Sequence, residues 1–148
     1  MNPYDQVEIL LVEDSANDAE LAMRALRKGG LANKLLWVKD GEDALDYLFR
    51  QGRYADREEG SPRLVLLDLK MPRVDGTQVL ERVKQDPRTR RIPVVIMTSS
   101  QEESDMVRSY DLGANSYVVK PLDFAAMVEV VRQAGFYWLA VNQQSICR

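Results

Sequence analysis

Histidine is absent from the 148 residues, and cysteine occurs once, as Cys147 next to the C-terminal residue. Without imidazole there are no histidine-containing zinc sites, no Ser-His or Cys-His nucleophile pairs, and no phosphohistidine of the chain's own. A single cysteine excludes an intrachain disulfide and is compatible with a reducing compartment; Cys147 is read as an inert tail thiol, with oxidative cross-linking of two chains as the other option. No apolar run is long enough to span a bilayer, and the opening MNPYDQVE lacks the basic and apolar regions of a secretory signal. A basic excess is missing as well: the net charge is -3 and the pI about 5.1, which argues against DNA as a partner. The expectation is a cytoplasmic protein that binds neither DNA nor membrane. Its chemistry must rest on carboxylates, hydroxyls and lysine.

What is present suits one folded domain: 45% of the residues are apolar and 29% charged, far from the profile of a disordered chain. Residues 7–12, VEILLV, form an almost unbroken apolar run that stops at Glu13 and Asp14, the pattern of a strand buried on both faces. Residues 64–67 ending at Asp68, and 94–97 ending at Thr98, repeat that design, and 34–38 and 116–119 supply two shorter strand candidates. Between the runs the period becomes helical. Ala19, Ala22, Met23 and Leu26 share one face, with Gly29-Gly30 as the stop. Ala44/Leu45 with Leu48/Phe49, Val79/Leu80 with Val83, a weaker stripe of Met106, Val107 and Tyr110, and Phe124 with Met127, Val128 and Val131 mark four more helices.

Five strands alternating with five helices make an α/β chain, and right-handed crossovers turn that pattern into a parallel sheet covered on both faces. The expected architecture is flavodoxin-like: a doubly wound five-stranded sheet of strand order 2-1-3-4-5. Ligands of such sheets bind beyond the carboxyl ends of the strands, where Glu13, Asp14, Asp68 and Thr98 all fall. Residues 1–134 are assigned to this domain, with the polar segment 51–63, QGRYADREEGSPR, as an extended exposed loop. Residues 135–148 are read as a continuation of the last helix and a tail, with three aromatics in a row and no output domain.

Three carboxylates converging at strand ends repel one another unless a cation sits among them, and hard oxygen ligands suit Mg²⁺, with Mn²⁺ as a substitute. Taken singly, acids after strands only cap the next helix, and Glu13-Asp14-Ser15 could do that alone. Lys120 changes the balance, because it follows the fifth strand and brings a cation to the same edge. Acids plus lysine can hold an anionic phosphoryl group, with Asp68 as nucleophile forming an acyl phosphate and Thr98 donating its hydroxyl.

Glu13-Asp14, the run Leu67-Asp68-Leu69-Lys70-Met71-Pro72 with Asp75-Gly76, Thr98-Ser99, and Tyr117 with Lys120-Pro121 agree in order, spacing and strand position with one family. Over roughly residues 7–134 the chain resembles the bacterial two-component response-regulator receiver family, which is CheY-like. The resemblance implies that Asp68 accepts a phosphoryl group from the phosphohistidine of a sensor histidine kinase. It implies that Asp14 and Asp68 ligate the metal directly, Glu13 through water, and Lys70 through its backbone carbonyl. Lys120 would pair with carboxylate or phosphoryl oxygens, and the Lys120-Pro121 peptide would be cis. Thr98 and Tyr117 would be the switch pair, while Lys70 and Ser100 occupy places that tune hydrolysis of the aspartyl phosphate. Gly76 and Gly113 are read as turn and helix-end glycines. Such a protein is no enzyme toward other molecules; it catalyses only its own phosphorylation and dephosphorylation.

A narrower resemblance, carried by the 51–63 loop and Phe136-Tyr137-Trp138-Leu139, is to small receivers that serve phytochrome-type kinases. It implies a homodimer with Tyr137, Trp138 and Leu139 as anchors; the alternative is that Trp138 and Leu139 fold back over their own domain. Three other functions compete. A haloacid-dehalogenase-type phosphatase needs a second aspartate two residues after the first, where this chain has Lys70. A flavodoxin cradles its flavin phosphate with a hydroxyl-rich loop where this chain has Glu13-Asp14. A phosphate-independent docking or dimerisation module usually goes with loss of the acceptor or the lysine, and neither is lost.

Overall fold

A computed structural model of the chain describes residues 2–30 and 34–143; Cys147 lies outside them. The apolar runs become strands and the helical stripes become helices, in the order β1 (Ile9–Val12), α1 (Ala16–Lys28), β2 (Leu35–Val38), α2 (Gly41–Leu48), β3 (Leu64–Leu67), α3 (Gly76–Gln85), β4 (Val94–Thr98), α4 (Glu103–Asp111), β5 (Ser116–Val119) and α5 (Phe124–Phe136). All strands run parallel in the order β2-β1-β3-β4-β5. The fold is the expected flavodoxin-like one. Pairing of Val12 with Leu67 and of Thr98 with Val119 brings the carboxyl ends of neighbouring strands level with one another.

Successive strand residues point to opposite faces, so each run feeds two cores. Ile9, Leu11, Leu64, Leu66, Val95 and Met97 pack against Ala19, Ala22 and Leu26 of α1 and Met127 and Val131 of α5. Leu10, Val12, Val65, Leu67 and Ile96 pack on the other side against Ala44 and Leu48 of α2 and Val79, Leu80 and Val83 of α3. The central strands β1, β3 and β4 are buried throughout, whereas β5 is half-buried along its length, as an edge strand must be. Helix starts are fixed by side-chain caps: Ser15, Asp40, Asp75 and Asp123 each accept a hydrogen bond from a backbone N–H of the first turn.

Three expectations need correction. The 51–63 segment is not simply an exposed loop: it opens with a 3₁₀ turn, Gly52–Tyr54, and both Tyr54 and Arg57 are buried. Tyr54 stands edge-on to Tyr4 and Tyr47, at 4.8 and 5.3 Å, and donates its hydroxyl to Asp43 Oδ2 at 3.0 Å. The Arg57 guanidinium lies over the Tyr47 ring and donates to the carbonyls of Tyr47, Glu58 and Gly60 at 2.8 to 3.1 Å. Second, α4 forms, but the stripe that announced it is not its buried face; Val107 and Tyr110 are half-exposed, and the buried residue is Ser109, which donates to Asp105 O at 2.8 Å. Third, Leu139 is not available as a dimer anchor. A π-helical turn, Tyr137–Val141, continues α5 past residue 134 and rotates Leu139 into the core beside α1, where it is 7% exposed. Arg63 Nη2 donates to its carbonyl at 2.6 Å, and Trp138 packs half-buried on the same core.

Candidate phosphoacceptor and metal site

Each functional side chain sits where a strand stops. Glu13 and Asp14 follow β1, Asp68 follows β3, Thr98 ends β4 and Lys120 follows β5, so parallel pairing alone gathers them at one sheet edge. Carboxylate oxygens of Glu13, Asp14 and Asp68 lie within 4.8 Å of one another; Glu13 and Asp68 are buried and Asp14 is exposed. The backbone around them is pinned. Trp37 Nε1 donates to Glu13 O at 2.8 Å, Ser15 N donates to Glu13 Oε2 at 3.1 Å, and Asp68 N donates to Val12 O at 3.0 Å.

Lys120 Nζ reaches into the acids, at 2.5 Å from Glu13 Oε1, 2.8 Å from Asp18 Oδ2 and 3.2 Å from Asp68 Oδ2. One ammonium thus faces three carboxylates, and the site keeps a surplus of negative charge. Burial pushes the Glu13 carboxyl up to about 7, with the neighbouring Asp68 charge adding to it and the Lys120 hydrogen bond opposing it. For Lys120 burial works against the charge, but the hydrogen bonds it donates to Asp18 and Glu13 and the Asp68 charge outweigh it and hold its pKa above that of an ordinary lysine. The Lys120-Pro121 peptide is trans, correcting the expected cis bond; both isomers of a bond before proline lie close in energy, and Lys120 N donates to Thr98 O at 2.7 Å.

Thr98 is fully buried, and its Oγ1 accepts from Ser100 N at 3.3 Å. Tyr117 is half-buried, with its hydroxyl donating to the Ser100 carbonyl at 3.1 Å, so both members of the expected switch pair are tied to the β4–α4 loop. Lys70 N donates to Asp68 Oδ1 at 3.4 Å, and its ammonium pairs with Asp105 at 3.2 Å, while Ser100 Oγ donates to the same Asp105 carboxylate at 2.6 Å. Ser100 and Lys70 lower the pKa of Asp105. Asp18 is the residue that sequence reasoning missed: it reads as an acid in the first turn of α1, and only the fold carries it to Lys120.

The donors are all hard oxygens, clustered closely enough for one divalent ion, in a pocket whose lysine leaves negative charge uncompensated; the set fits Mg²⁺ or Mn²⁺ and fits no soft metal. No residue of this edge is distinctive alone. That separate strand ends deliver them to one point defines the class, which is the receiver domain with its acidic divalent-metal site.

The chain belongs to that family: the response regulator receiver domain matches residues 9–132. It is related to the phytochrome response regulators. Over 133 residues it is 40% identical to the response regulator Rcp1 of Synechocystis sp. (strain ATCC 27184 / PCC 6803 / Kazusa), covering 88% of each chain. The structure of Rcp1 in its Mn²⁺-bound form matches with a TM-score of 0.86, covering 93% of this chain and 98% of that one. The phosphorylated cyanobacterial phytochrome response regulator RcpA matches with a TM-score of 0.87 at 36% identity, over 93% of this chain and 97% of its own. A probable methanogenesis regulatory protein, FilR2 of Methanothrix harundinacea (strain 6Ac), is 42% identical over 139 residues, 94% of this chain and 88% of its own.

Proposed function

We propose that this protein is a phosphoacceptor of a two-component system, taking a phosphoryl group onto Asp68 from the phosphohistidine of a sensor histidine kinase. The observation that carries the reading is the buried Asp68 carboxylate held between a lysine and two further acids at one sheet edge. An Asp68 oxygen attacks phosphorus, the phosphorus–nitrogen bond breaks, and the histidine imidazole leaves, so the chain acts only on its own phosphorylation state. Mg²⁺, or Mn²⁺ in its place, would be held by Asp14 and Asp68, by Glu13 through water and by the Lys70 carbonyl, and would supply charge compensation and orient the incoming oxygens. Lys120 offsets a second share of the anionic charge. Thr98 turns its hydroxyl from Ser100 toward the phosphoryl group, and Tyr117 follows into the space released, two packings of one loop that make a switch.

The names of its relatives favour a phytochrome-type kinase as donor. No described helix is long and apolar enough to cross a membrane, and the acidic balance favours a cytoplasmic protein without DNA binding of its own. A homodimer through the end of α5 is supported by Phe136, Tyr137 and Val141, each about half-exposed beside Trp138; Tyr137→Ala should raise the dimer dissociation constant measured by sedimentation. The decisive experiment is incubation with Mg²⁺ and acetyl phosphate, or with a phosphorylated phytochrome-type kinase, followed by intact mass. Wild type should gain one phosphoryl group and Asp68→Asn none; unmodified wild type with both donors would refute phosphotransfer.

A further inference from the structure

Two of the three carboxylates that bind the Lys120 ammonium, those of Glu13 and Asp68, belong to the acid cluster, and the third, Asp18, does not. Lysine and a divalent cation therefore draw on the same two groups. A cation entering the cluster sets like charge beside the ammonium and competes for its partners. Lys120 cannot answer by moving to water: its side chain is only 8% exposed, and a buried ammonium without a partner is costly. Asp18 is placed to solve this. It stands in the first turn of α1, four residues after Asp14, with its backbone N–H held by Ser15 Oγ at 3.3 Å and its carboxylate at the rim of the site, 34% exposed. Among the described residues, Lys120 has no ion-pair partner besides these three.

We infer that Asp18 is a positioning residue that keeps the Lys120 ammonium when a divalent cation takes Glu13 and Asp68, and that it thereby eases loading of the metal site. This rests on the metal reading of Glu13, Asp14 and Asp68. A static acid near the site would also favour a cation, but it would do so whether or not the lysine were present. Asp18 acting through Lys120 must lose its effect when the lysine is gone.

Trp37 supplies the readout, because its indole N–H bonds the Glu13 carbonyl at 2.8 Å. With Trp138→Phe as background, Trp37 is the one remaining tryptophan, and its fluorescence follows a Mg²⁺ titration. Asp18→Asn should weaken Mg²⁺ binding about fivefold in the lysine-bearing chain, the size of one partly exposed charge pair, and Asp18→Glu should restore it. In a Lys120→Gln background, which should bind Mg²⁺ more tightly than wild type, Asp18→Asn should change nothing. An equal loss in both backgrounds, or no loss in the first, overturns the role of Asp18. Absence of Mg²⁺ binding by the parent chain instead overturns the metal reading, so the two failures are separable. A crystal structure of the Mn²⁺-loaded chain gives a test independent of variant folding: Lys120 should stay on Asp18 and leave Glu13, and a lysine still on Glu13 refutes the inference.

Discussion

At the scale of single residues, Gly76 sets how closely a helix can approach the acceptor. It is the first residue of α3, after the capping box in which Asp75 Oδ1 accepts from Gln78 N and Gln78 Oε1 accepts from Asp75 N. A Cβ at this position would overlap the Asp68 carbonyl oxygen and come within 2.7 Å of Leu69 Cα, and backbone cannot step aside as a flexible side chain would. Gly76→Ala should therefore cost about 1–3 kcal/mol in urea unfolding and slow phosphorylation of Asp68, because relief requires moving the acceptor strand end. An unchanged unfolding midpoint would show that the contact is not tight. Asp68, Thr98 and Lys120 were legible in the sequence because each terminates an apolar run, and the chemistry of strand ends in a parallel sheet follows from topology. Gly76 was legible only as a turn glycine. Asp18 was not legible, because nothing in a helix start distinguishes an acid that serves the helix from one that meets a lysine of another strand.

At the scale of elements, the segment between α2 and β3 behaves as a small core of its own. Arg57 is 3% exposed, and its charge is spread over backbone carbonyls and the Tyr47 ring; burial lowers its pKa. Arg57→Ala removes the guanidinium donors to the Glu58, Gly60 and Tyr47 carbonyls together with the stack on Tyr47, and should cost roughly 2–4 kcal/mol in chemical unfolding. Tyr54 titrates in the same nest. Burial, with the Asp43 charge next in weight, pushes its hydroxyl up to about 12 from an ordinary 10.0. The protonated form is the one the fold favours, so this stabilisation is complete below pH 10, falls as pH rises, and is gone above about 12, a loss of about 3 kcal/mol. Tyr54→Phe should flatten that alkaline slope, and an identical slope in both proteins would assign it elsewhere. The sequence hid this nest because a tyrosine and an arginine among acids and glycines carry no periodic signal. The α4 stripe misled for the opposite reason: the spacing of Val107 and Tyr110 is helical, yet an edge helix buries little, and spacing does not say which face is covered.

At the scale of the whole molecule, strand order was legible because alternating apolar runs and amphipathic stripes leave few topologies once crossovers are right-handed. The fate of Leu139 was not, because the unbroken apolar run of residues 136–141 gives no hint of the π-helical turn that rotates one of them inward. The same topology makes the metal site a property of the folded state alone. Glu13 and Asp14 are far from Asp68 in sequence and meet only when β1 pairs with β3 through Val12 and Leu67. An unfolded chain offers scattered carboxylates and no cluster, so cation binding must stabilise the fold by mass action. At a hundredfold excess over the dissociation constant the gain is about 2.7 kcal/mol, which for a domain of this size raises the melting temperature by about 5–10 °C. Chelation with EDTA should reverse the rise. Asp14→Asn, which alters an exposed residue and leaves both cores intact, should abolish most of it without lowering the metal-free melting temperature. An equal Mg²⁺-dependent rise in Asp14→Asn and wild type would mean that the ion acts on the general surface charge of the chain and not at this sheet edge.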